Sequence, residues 1–168
     1  MKNSNKNFCS NNWLGQHNSR TFTISLVDTS VAKLNTIGIR TSHSTAGHNN
    51  SNITPMVTYI NADTDKFNIL TDNKGKSGVY RFTNTKTGFS YIGSSRDLSI
   101  RLRNYFNVNY LLRYNSMVIC RALLKHGYSH FTLEILEYCE PSCLIEREQY
   151  YLDLLNPEYN ILKTAGSS

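Results

Sequence analysis

Gly78-Val79-Tyr80 and, after ten intervening residues, Tyr91-Ile92-Gly93 frame the stretch that decides the fold. Gly78–Thr83 and Phe89–Gly93 are rich in aromatic and β-branched residues, which suit a pleated, half-buried backbone. Between them, Asn84-Thr85-Lys86-Thr87-Gly88 has the composition of a hairpin turn. The expectation is two antiparallel strands. An even number of unpaired loop residues lets Tyr80 face Tyr91 on one side of the hairpin, and an odd number offsets them.

Downstream, Ser94-Ser95-Arg96-Asp97 reads as a cap before a helix whose buried stripe is Leu98, Leu102, Tyr105 and Phe106. Arg101 falls at the edge of that stripe and Arg103 points away from it. A second helix is predicted from about Asn115 to Lys125. His126 and Gly127 close it as a last-turn cation and a C-terminal glycine, a better reading of His126 than a general base. Phe131–Tyr138 alternates with strand period. Pro141 opens a final helix to about Leu155, stopped by Asn156-Pro157. The fold class is therefore α+β, a small three-stranded antiparallel sheet flanked by helices.

Upstream, residues 1–73 contain 13 Asn, 8 Ser and 10 Thr. Such polar sequence buries too little apolar surface to offset its chain entropy. The expectation is a largely disordered extension, with short strands at Thr21–Val27 and Met56–Ile60 and a short helix at Asp63–Leu70 as its candidate elements.

Charge is uneven along the chain. From Lys74 to Lys125 there are ten Lys or Arg and one acid, a net of +9, whereas His126 to Ser168 carries a net of −5. The basic half suits a polyanion, because neutralising phosphates releases counterions. Cys139 and Cys143 lack a second ligand pair, which disfavours zinc. No apolar run approaches the roughly 18 residues of a membrane span, and the N-terminus has no secretory apolar stretch, so no membrane partner is expected.

Glu148 is the most informative carboxylate. On the last helix it falls in the middle of the face shared by Leu144, Ile145, Tyr151, Leu152 and Leu155, while Glu146 and Asp153 point away. A carboxylate on an apolar stripe is costly unless it is paired or bound to metal. The two readings are a buried salt bridge to an Arg and a ligand for a hard cation such as Mg²⁺.

The paired tripeptides, Arg101, Glu148 and Pro157-Glu158-Tyr159-Asn160, in this order, resemble the GIY-YIG nuclease family from about Lys76 to Asn160. Tyr91-Ile92-Gly93-Ser94-Ser95-Arg96-Asp97-Leu98 looks most like its intron-encoded homing endonucleases, and the flanking stretches look like fungal mitochondrial members. DNA-repair members usually have Lys where this chain has Ser94. The resemblance implies a DNA endonuclease domain over 76–163, a tail over 164–168, a mitochondrial, organelle-encoded origin and Mg²⁺ (or Mn²⁺) as cofactor. It implies a site of Tyr80, Tyr91, Arg101, Glu148 and Asn160. Glu148, twelve residues before Asn160, matches the family's metal ligand. Tyr80 is favoured as the base and Tyr91 as the group orienting water or phosphate, with the reverse assignment open. Arg101 would bind the scissile phosphate, and Asn160 would orient groups around the site. Gly78 and Gly93 belong to the signature, and Gly93 allows a close backbone approach. Arg96, Arg103, Arg113 and Arg121 are candidate DNA phosphate contacts.

Some members carry a His before the second helix, where this chain has about Tyr114, so that His role does not carry over. No helix-turn-helix or zinc finger is evident, so binding by this chain alone is expected to be weak, salt-sensitive and poorly selective, with a separate DNA-binding module as a possible partner. The rival readings are a non-cutting nucleic-acid-binding remnant and a repair-type structure-specific nuclease.

Overall fold

The computed structural model describes residues 53–166. The strand expected at Thr21–Val27 lies outside the described residues. Four strands, β1 (Val57–Tyr59), β2 (Gly78–Asn84), β3 (Ser90–Ser95) and β4 (Phe131–Tyr138), form one antiparallel sheet in the order β1-β4-β2-β3. The α+β class holds, but the expected three-stranded sheet has a fourth strand. β1 aligns Val57, Thr58 and Tyr59 with Ile135, Glu134 and Leu133 of β4. Helix α1 (Lys66–Asp72) follows it.

Residues 57–72, which composition assigns to the polar extension, are thus built into the domain. Their polar side chains explain how. The Tyr59 hydroxyl donates to Asp72 (3.1 Å), the Asn73 amide donates to Tyr59 (3.0 Å) and to the Ile69 carbonyl (2.8 Å), and Tyr138 donates to the Asn73 side-chain oxygen (2.8 Å). Asn73 is fully buried. A satisfied polar network of this kind orders a segment that its hydrophobicity alone would not.

The hairpin loop closes with Asn84 N–H donating to the Phe89 carbonyl (2.9 Å), and the Asn84 side chain accepts from the Lys86 and Thr87 N–H groups. Gly88 takes φ +76° within it, a conformation other residues resist. The loop, Thr85–Gly88, is even-numbered, so Tyr80 and Tyr91 share a face. They are not direct partners: Tyr80 pairs with Gly93 and Phe82 with Tyr91.

That alternation divides the core. Tyr80, Phe82, Tyr91, Leu133 and Ile135 pack with α2 (Leu98–Tyr105) and α4 (Val118–His126). Val79, Ile92 and Leu136 pack with Tyr151 and Leu152 of α5 (Leu144–Leu155). The Asp97 side chain caps α2 by accepting from Ile100 N–H (3.1 Å). Helix α3 (Val108–Arg113), absent from the sequence reading, is capped by Asn107. The second expected helix is α4, which begins at Val118 rather than Asn115. His126 lies in its last turn and Gly127, at φ +75°, ends it. On α5, Leu144, Glu148, Tyr151 and Leu152 are buried as expected, but Ile145 is exposed and flanks the Gly166 backbone.

Candidate active site

The two signature tyrosines meet through a third. Tyr80 donates to the Tyr105 hydroxyl (3.2 Å), and Tyr105 donates to Tyr91 (3.3 Å). The rings stand edge-on or tilted, with centroids 6.2 to 6.4 Å apart. Tyr80 and Tyr105 are fully buried and Tyr91 nearly so. Burial pushes all three phenols above their ordinary value, and the Arg101 charge works against that rise. The hydrogen bond from Tyr105 also lowers Tyr91.

The glycines of both tripeptides are packing requirements. A Cβ on Gly93 would sit 2.6 Å from the Tyr80 hydroxyl oxygen, so Gly93 makes room for the Tyr80 ring rather than for an approaching backbone. A Cβ on Gly78 would sit 2.3 Å from the Glu137 carbonyl oxygen on β4.

Arg101 is carried one helical turn into α2, partly buried against this cluster. The neighbouring Tyr80 holds its guanidinium above an already high value, with Tyr105, Tyr91 and Tyr110 adding to the effect. Among the described residues Arg101 has no carboxylate partner. Its charge is therefore available to an external anion.

Glu148 is 8% exposed and faces inward from α5. Its Oε2 accepts a short hydrogen bond from the Ser94 hydroxyl (2.5 Å). Among the described residues it forms no ion pair, so the salt-bridge reading of the sequence is not realised. Arg147, next to it, pairs with Glu137 instead (2.7 Å). Glu148 and Tyr91 line one cavity of about 450 Å³, together with Ser116, Met117 and Val118 from the entry to α4 and Tyr159, Asn160, Ile161, Leu162 and Thr164 from the stretch after α5. Among the described residues no three His, Cys, Asp or Glu gather as a cluster. A single buried carboxylate that opens on a cavity fits Mg²⁺, which prefers oxygen, keeps several waters and needs only one or two carboxylates.

Asn160 positions backbone. Its side-chain oxygen accepts from Ile92 N–H and its amide donates to the Ile92 carbonyl, both at 2.8 Å. Tyr159 N–H donates to the Ser90 carbonyl (2.9 Å), and the Glu158 carboxylate accepts from Ser90 N–H (2.9 Å). The segment 158–160 thus runs along the outer edge of β3 and forms a wall of the cavity.

Arg96, Arg103 and Arg113 are exposed and available to phosphates. Arg121 is exposed too, but its guanidinium donates to the Asn115 and Ser116 carbonyls (2.7 and 2.9 Å) and fixes the turn into α4. His126 stays a helix-end residue. Two members of the site escaped the sequence reading in this role. Tyr105 was legible only as part of a buried stripe. Ser94 reaches Glu148 across 54 residues, a separation no local pattern spans.

The family model for the GIY-YIG catalytic domain matches residues 76–160. The chain is 32% identical over 130 residues to a probable intron-encoded endonuclease bI1 of Neurospora crassa, covering 71% of this chain and 28% of that protein. It is 29% identical over 104 residues to probable intron-encoded endonuclease 1 of the same organism, covering 56% and 33%. The chain thus spans a third or less of the length of these curated relatives. It is also 32% identical over 98 residues to UvrABC system protein C of Histophilus somni, covering 58% and 15%. Among solved structures, the catalytic domain of homing endonuclease I-TevI is 33% identical, with 52% of this chain and 99% of that one covered and a TM-score of 0.44.

Proposed function

We propose that this chain, which belongs to the GIY-YIG nuclease family, hydrolyses DNA phosphodiester bonds with one divalent cation. The observation that carries the reading is the convergence of Tyr91, Glu148 and Asn160 on one cavity, with Arg101 against the same phenols.

Glu148 is the residue that would hold Mg²⁺ or Mn²⁺, with the Ser94 hydroxyl fixing one of its carboxylate oxygens. When bound, such a cation supplies Lewis acidity and neutralises charge on the leaving oxygen. Arg101 offers a fixed fork of donors to the scissile phosphate and stabilises the charge that grows in the transition state. Tyr91, which lines the cavity, would meet the attacking water and, ionised to the phenolate when a cation shares the cavity, take its proton. It can do so only as far as nearby donors and cations lower a phenol that burial raises, and Tyr105 and Arg101 both act in that direction. Tyr80, fully buried, acts through Tyr105. This assignment reverses the preference for Tyr80 drawn from the sequence. Asn160 holds the β3 backbone between Tyr91 and Gly93 in place. Arg96, Arg103 and Arg113 contact flanking phosphates, which positions DNA without reading sequence.

The biological setting we infer is intron homing, encoded and acting in a mitochondrion. The names of the two Neurospora relatives support the intron-encoded part. The heavy use of Asn, Tyr, Lys and Ile fits AT-rich coding. The stretch we propose as carrying the catalytic signature is 76–163, built onto the strand and helix of residues 57–72, with 164–168 as the tail. The similarity to UvrABC system protein C favours a second reading, a structure-specific repair-type nuclease. Comparing cleavage of branched and linear DNA separates the two.

The test is nicking of supercoiled plasmid with Mg²⁺ or Mn²⁺. Metal-dependent nicking by the wild type is expected, with Glu148→Ala at background. Arg101→Ala should be slower by about a hundredfold or more, the cost typical of losing one donor to transition-state charge. A folded wild type that binds DNA and never cuts it would overturn this reading in favour of a non-cutting remnant.

A further inference from the structure

The cavity that contains Glu148 is more apolar than phosphodiester cleavage requires. Its lining includes Met117 and Val118, at the entry to α4, and Ile161 and Leu162, just after Asn160. Ile161 and Leu162 are 68% and 60% exposed. Aliphatic surface left in water is unfavourable in proportion to its area, and this surface is also held in place at both ends. Before it, Asn160 grips Ile92. After it, Gln149, adjacent to Glu148 on α5, donates to the Lys163 carbonyl (3.0 Å) and accepts from Ala165 N–H (2.9 Å). A pinned, exposed aliphatic wall beside a buried carboxylate has the character of a small-molecule site, apolar walls with a few fixed polar groups, and its volume of about 450 Å³ falls among the roughly 300–1,000 Å³ of such sites.

Phosphate, cation and water account for Arg101, Glu148 and Tyr91, but none of them uses aliphatic walls. The net charge of +9 between Lys74 and Lys125 draws in a nucleic-acid backbone. DNA carries one apolar surface of matching shape, the flat face of a base, and stacking covers that face until a nucleotide leaves the helix.

We infer that the cavity lined by Met117, Val118, Ile161 and Leu162 is a subsite for one unstacked nucleobase, adjacent to the phosphate held at Arg101 and to the cation site at Glu148. The inference rests on the nuclease reading for the placement of the strand, and it deepens that reading. Its consequence is that bases already unstacked, at a mismatch or in a single strand, enter at lower cost than paired ones.

The test uses the full wild-type chain in EDTA, so that nothing is cut. The probe is a short single-stranded oligodeoxynucleotide with one central 2-aminopurine, and binding is followed separately by anisotropy of a terminal dye. Saturable binding with 2-aminopurine emission rising about twofold or more is expected, as the base leaves its stacked neighbours. Leu162→Ser and Met117→Ser should each weaken binding by about tenfold and remove the rise, the order of loss expected when one aliphatic side chain no longer buries against the base. An oligonucleotide with an abasic site at the central position should bind about tenfold more weakly to the wild type and equally to Leu162→Ser.

Leu162 is mostly exposed, so Leu162→Ser carries the test if Met117→Ser fails to fold. Absence of binding, binding with unchanged emission, or equal affinity for the abasic oligonucleotide would each overturn the subsite, the last by pointing to the sugar as occupant. Plasmid nicking is scored independently. Nicking without the emission change sinks the subsite alone, and the emission change without nicking sinks the nuclease reading alone.

Discussion

At Gly93 the geometry of the site depends on the absence of a side chain. Tyr80 lies across this residue because the two are register partners, and its hydroxyl then reaches Tyr105 rather than Tyr91. A methyl group at Gly93 would stand 2.6 Å from the Tyr80 hydroxyl oxygen and 2.8 Å from Cζ. The ring has nowhere to retreat, being boxed by Phe82, Tyr91 and Tyr105. Gly93→Ala is therefore an overpacking change, expected to cost about 1–3 kcal/mol and to slow cleavage by displacing the hydroxyl chain. Urea unfolding checks the first part, and wild-type stability in Gly93→Ala would show that the ring adapts. The sequence marked Gly93 as special but gave the wrong reason for it. The glycine itself was visible, whereas the ring lying over it depends on a register that the loop alone did not settle.

At the scale of elements, β3 shows what local pattern can and cannot reveal. Its partner β2, the turn between them and the Asp97 cap of α2 were legible because each is written in contiguous residues with fixed conformational preferences. β1 was visible only as a candidate, because three residues in polar surroundings carry little periodicity and its order comes from Asn73 and Tyr138. Helix α3, at six residues, is too short to show a stripe. The outer edge of β3 was not legible at all, since it is covered by side chains from a segment 68 residues away. The Ile92 N–H, which points away from β2, has the Asn160 side chain as its partner. Asn160→Ala should therefore speed amide exchange at Ile92 selectively, leaving Arg81 and Ile135 protected. Losing both bonds should lower global stability by about 1–2 kcal/mol. Unchanged exchange at Ile92 would mean that Asn160 is not what holds this edge.

Across the whole molecule, the unusual store of buried phenols sets how the fold responds to alkali. Burial is the leading cause in each case: it raises Tyr80 and Tyr105 well above the ordinary value, raises Tyr59, Tyr91 and Tyr128, and brings Tyr138 and Tyr151 to about 12. In the unfolded chain these groups ionise near the ordinary value of about 10. Between the two values the folded protein binds more protons than the unfolded one, so stability falls as pH rises. The contribution is fully present below pH of about 10 and is lost as pH climbs through the folded values, about 12 for Tyr138 and Tyr151. Arg101 opposes the loss only at the active-site phenols, where it favours the charged form. Alkaline titration should therefore ionise this buried set only above the ordinary value, and together with loss of far-UV circular dichroism, because the core they occupy must open to admit the charge. Phenolate absorbance and circular dichroism, followed on one sample, make the comparison. If all the tyrosines ionised in a single step near pH 10 while the dichroism held, these hydroxyls would be reachable by water in the folded state. The buried Tyr80–Tyr105–Tyr91 chain would then lose its basis.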